Sequence, residues 1–157
     1  MKKQYNFSNV IRTPFNTELG PLLTLEADVA VVLEPNATYA IKNGAKELSD
    51  FSEIEAVTTG FCVTKSFYSK NKKEIYNLSE MIKKGIEIFE NDNALTLNVA
   101  KKYFPLVNEN ILNESIERIR KADIYCRELK FSDKEIEEGL RLRDIDMSVK
   151  DVKKFIV

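Results

Sequence analysis

The chain has no histidine among its 157 residues. That absence removes Ser-His and Cys-His catalytic pairs, histidine proton shuttles and His-ligated zinc or haem. Cysteine is nearly as scarce. Cys62 and Cys126 stand far apart without metal-ligand spacing, so both read as structural thiols rather than a disulfide or a nucleophile. Cys126 falls on the apolar stripe of an expected helix, where a free cysteine behaves as a small hydrophobe. The five glycines are isolated, which excludes a Gly-rich phosphate loop. No apolar run reaches the roughly 18 residues of a membrane span. The start Met1-Lys2-Lys3-Gln4-Tyr5-Asn6 leads into no apolar signal segment, so the expected compartment is the cytoplasm as the sequence is written. Charge of one sign is missing too. With 24 Lys and Arg against 25 Asp and Glu, the formal charge is -1, which argues against a nucleic-acid partner held by phosphate neutralisation.

What remains suits a single globular domain over residues 1–157, with 43% hydrophobic and 31% charged residues. No Pro/Gly-rich boundary divides it. Residues 1–66 read as sheet-rich and 67–157 as helical. Asn9 to Thr13 is a short β-branched run stopped by Pro14. Asn16 or Thr17 can cap a helix carrying Leu19, Leu22, Leu23 and Leu25. Ala27 to Leu33 is apolar on both faces after Asp28, the pattern of a central parallel strand covered on both sides. On that reading Val31 is core. Glu34-Pro35-Asn36 ends the run, Asn36 starts a helix from Ala37 to Lys42, and Gly44 closes it. Ala45 to Leu48 and Ala56 to Thr64 read as two further strands.

The second half has helical spacing. Asn71 with Glu74 resembles a capping box, followed by Ile75, Leu78, Ile82, Ile86 and Phe89 on one stripe. Asn91-Asp92-Asn93 breaks that helix. The next carries Ala94, Leu97, Ala100 and Phe104 and ends at Pro105. A third steps through Leu112, Ile116, Ile119, Ala122, Cys126 and Leu129, and Ser132/Glu135 and Ser148/Asp151 mark two more helix starts. Scattered basic clusters such as Lys83-Lys84 and Arg118-Ile119-Arg120-Lys121 lie beside many glutamates and read as a salt-bridged helical surface. Asp144 and Asp146 read as a solvated turn rather than a carboxylate pair.

Residues 24 to 40, followed by Asn43-Gly44-Ala45-Lys46 and Asp50-Phe51, resemble the solute-binding proteins of nitrate, sulfonate and taurine ABC importers. The specific part is Asp28 to Pro35: an Asp, an apolar strand, then Glu-Pro. Leu25 stands where that family usually has glycine. The resemblance implies an α/β fold, a type II periplasmic-binding-protein-like lobe with a small, mostly parallel sheet and a helical C-terminal half. It also implies a non-catalytic, solute-binding role without a cofactor. Family members have two lobes, and the match begins in the second. The chain is therefore expected to be a stand-alone relative, or a fragment of a longer binding protein that would be extracytoplasmic. Fungal relatives that make the thiamine pyrimidine from a histidine are excluded, because histidine is absent.

In an open α/β sheet, ligands sit beyond the carboxyl ends of the strands. The candidate ligand-binding residues are accordingly Thr13, Asn16, Glu34 and Asn36. The neutral groups, with the helix starts behind them, suit an anion, whereas Glu34 suits an amine or another donor. The plainer alternative makes Asn16 and Asn36 helix caps and Glu34 a solvated carboxylate. A second functional reading is a structural or regulatory protein of the same fold that has lost binding. An enzyme with Glu34 as base lacks any evident partner residue. The expected partners are a small-molecule solute and a second copy in a homodimer, because a lobe without its companion leaves apolar faces bare.

Overall fold

The structure, a computed structural model, describes residues 9–50, 54–57 and 60–156. Every regular element among these residues is a helix: α1 (Leu19–Leu23), α2 (Asn36–Lys42), α3 (Lys65–Lys70), α4 (Lys72–Asn91), α5 (Asn93–Tyr103), α6 (Glu109–Ala122), α7 (Asp133–Leu142) and α8 (Val149–Lys153).

The expected α/β architecture is therefore corrected. No strand forms among the described residues, so the small parallel sheet of a periplasmic-binding-protein-like lobe is not present. The physical reason lies in the backbone pairing. A strand exists only beside another strand, and β-propensity records how side chains fit such a surface rather than a backbone preference. Asp28 to Val32 make no backbone hydrogen bond to any other run. Val57 gives its N–H to Glu135 of α7 (3.1 Å) instead of to a neighbouring strand. Residues 58 and 59 of the expected Ala56 to Thr64 strand lie outside the described residues. Val31 is not core: it is 69% exposed.

The helical half follows its local signals more closely. Asp92 accepts from the Leu95 N–H (2.9 Å) and starts α5 where the Asn91-Asp92-Asn93 break was expected. The Ser132/Glu135 capping box is present at α7, and Ser148 caps α8. Two signals resolve differently. Asn71 stands at the N-cap of α4 but makes no side-chain cap bond there; its side-chain amide donates to the Phe67 carbonyl and closes the unforeseen α3, which Thr64 caps. Helix α6 stops at Asp123, whose φ of 47° is left-handed. Cys126 consequently lies beyond the helix and is exposed, not on an apolar stripe.

Helix α5 packs between α4 and α6, α6 also receives α2, and α7 pairs with α8. Among the described residues the buried apolar ones are few: Leu19, Ala40, Leu112, Ile116 and Ile136. Leu112, Ser115 and Ile116 are the buried face of α6, while Thr38 and Ala40 are that of α2. Helix α4 buries none of its residues fully. The chain exposes 12999 Å², whereas a compact protein of 18.1 kDa exposes roughly 8,000 Å².

One pH-dependent contribution is local to α7. Hydrogen bonds from the Ser132 hydroxyl and N–H hold the Glu135 carboxyl below its ordinary value of 4.5. A depressed carboxylate stabilises the fold above its unfolded pKa and loses that contribution as pH falls through the folded value. Glu135→Ala is expected to cost about 0.5–1 kcal/mol at neutral pH, a typical capping loss. Melting curves should show this gap narrowing below pH 4.5; a gap that persists in acid would mean that the carboxylate is not the source.

Candidate functional site

The Glu34 carboxylate accepts three hydrogen bonds. It precedes α2, and its Oε2 accepts from the Thr38 N–H (3.1 Å) and the Thr38 hydroxyl (2.7 Å). Those bonds satisfy donors of the first helical turn, so Glu34 does the capping that the sequence assigned to Asn36. Its Oε1 accepts from Arg118 Nε at 2.7 Å, across 84 positions of sequence. Arg118 projects from α6 and also donates from Nη2 to Glu47 Oε1 at 2.5 Å. The two carboxylates raise the Arg118 pKa above its usual value, Glu47 contributing most and Glu34 next. The Glu34 side chain is 15% exposed and that of Arg118 is 29% exposed. Thr38 is fully buried.

Of the expected ligand-binding residues, the structure brings Asn16 and Asn36 together: Asn36 Nδ2 donates to Asn16 Oδ1 at 3.5 Å, at the outer limit of a hydrogen bond. Neither caps a helix, since α1 begins after Glu18 and α2 after Pro35. Asn16 takes a left-handed φ of 69°, which asparagine tolerates better than most residues. Thr13 is half-buried and makes no hydrogen bond with the others. Glu34 is committed to Thr38 and Arg118, neither solvated nor free to receive an amine. Sequence reading missed Thr38, Glu47 and Arg118. Arg118 was visible only as one charge in a basic cluster, and nothing local marks its distant partners.

Chemically this is a clamp rather than a reaction centre. Both oxygens of Glu34 are occupied by donors, so it is not poised to abstract a proton. No cluster of three or more metal-ligating side chains occurs among the described residues. A concavity of about 530 Å³ lies at the turn after α6 beside Tyr125, Cys126 and Phe131. It is open to solvent, and its lining includes none of the clamp residues Glu34, Thr38, Glu47 and Arg118. The basic clusters divide. Lys83, Lys84, Lys101, Arg118 and Arg120 are paired with glutamates, whereas Lys70, Lys72 and Lys73 have no ion-pair partner among the described residues. No described helix is long and apolar enough to cross a membrane.

Comparison with known proteins finds no matching family, no matching curated protein and no matching solved structure.

Proposed function

We propose that the protein is a non-catalytic binding component that works joined to a further polypeptide surface rather than as an isolated chain. The observation that carries this reading is the exposed area, 12999 Å² against roughly 8,000 Å² for a compact chain of this mass. Large apolar side chains are among what is exposed. Val10, Phe15, Leu25, Phe61, Met81 and Leu106 are each more than two-thirds exposed. Obligate homodimers bury about 2,000–5,000 Å² in total, so the bare area is ample for one. A net charge of -1 does not oppose self-association.

The solute-binding part of the proposal draws on two things. One is the Asp28 to Pro35 resemblance to the binding proteins of nitrate, sulfonate and taurine importers. The other is the Asn16–Asn36 contact, a pair of neutral amides able to receive a small polar molecule. The fold adds no support to that part.

Each part has its own test. Light scattering across a dilution series should give twice 18.1 kDa at the concentrated end. A monomer throughout would refute the association. A thermal-shift screen of anions, sulfonates and pyrimidines should yield a hit that Asn36→Ala abolishes. No hit would leave a purely structural role.

A further inference from the structure

The segment Val29–Leu33 has side-chain alternation without a neighbour to pair with. Val29, Val31 and Leu33 are 40%, 69% and 60% exposed, while Ala30 and Val32 between them are half-buried. Exposure that alternates with period two is the signature of an extended run lying with one face on the body of the protein. Its main chain is equally open. Among the described residues, the N–H groups of Asp28 to Leu33 make no hydrogen bond, and of their carbonyls only that of Leu33 accepts one, from the Ala37 N–H. Five consecutive uncharged apolar residues with no proline among them carry none of the devices that keep a bare edge from pairing.

We infer that Val29–Leu33 is a pairing edge for the same segment of a second copy, aligned antiparallel about Val31. This deepens the association proposed above and rests on it. The choice of a second copy comes from self-complementarity. With Val31 opposite Val31, Val29 meets Leu33 and Ala30 meets Val32, so every opposed pair is apolar. The flanking pair sets Asp28 against Glu34, whose carboxylate is already ion-paired with Arg118. The partner edge supplies hydrogen bonds to every second residue of the run, which is strand addition with both edges contributed by one sequence. The arrangement is two-fold and isologous, so it closes at two chains.

The test uses charge at the dyad of the full chain. Val31→Asp and Val31→Lys each place like charges opposite one another, and like charges directly opposite are destabilising. Val31 is exposed in the lone chain, so the helical circular-dichroism signal should be unchanged. By light scattering, each variant alone should lose the dimer, an equimolar mixture of the two should regain it, and Val31→Thr should keep it. Amide exchange at alternate residues of the 29–33 run should be slow at high protein concentration and fast on dilution, which reads the edge even if a variant folds poorly. Single variants that dimerise like the parent, a mixture that stays monomeric, or all of these amides exchanging fast at every concentration would overturn this edge while leaving the association standing. A parent chain that is monomeric throughout would overturn both.

Discussion

Arg118→Ala is expected to destabilise the protein by about 2–4 kcal/mol, somewhat less than the ~3–5 kcal/mol for a fully buried ion pair because both side chains keep some exposure. The loss is not only that of the bond at 2.7 Å. It leaves the Glu34 carboxylate, 15% exposed, with Thr38 as its only donor. It also unties α6 from the segment before α2 and from Glu47. Glu47→Ala supplies the contrast. That carboxylate is 39% exposed, and an exposed pair is worth about 0–1 kcal/mol. Chemical denaturation of the two variants should therefore give well-separated midpoints. Similar midpoints would mean that the clamp is an ordinary surface pair.

Leu112→Ala carries the second large effect, about 2–5 kcal/mol for a buried leucine truncated to alanine. Leu112 is 2% exposed and is one of only five buried apolar residues among those described. In so small a core the cavity has little around it to collapse inward. The expected loss is a large share of the ~5–15 kcal/mol that holds a typical domain together. Met81→Ala on α4 removes a comparable side chain that is 71% exposed, and should stay within about 0.5 kcal/mol. A thermal melt in which Leu112→Ala matches Met81→Ala would place the core elsewhere.

The helices of the second half were legible because their signals are local. Ser132 with Glu135, Asp92 and Ser148 each satisfy backbone donors within three residues of themselves. Nothing beyond the next turn is needed. The apolar runs of the first half are another matter. Ala27 to Leu33 reads as a central strand by composition, but whether such a run is covered depends on chain elsewhere. Here nothing pairs with it, and Val31 faces outward. Cys126 was misplaced because the three-and-four spacing continues past Ala122 in sequence, while the backbone turns left-handed at Asp123. The clamp was half legible. Glu34 stood out at the end of its run, but Arg118 and Glu47 lie 84 and 13 positions away, with no motif linking them. Long-range ion pairs leave no periodicity to read.

The central claim is that an isolated chain leaves its apolar surface open and that association completes it. The concentration dependence of the melting temperature tests this most directly, since binding between folded chains stabilises them by mass action. The account predicts a melting temperature that rises steadily as protein concentration is raised, and a rise that Val31→Asp removes. A melting temperature that is independent of concentration, in a chain that stays at 18.1 kDa, would contradict it.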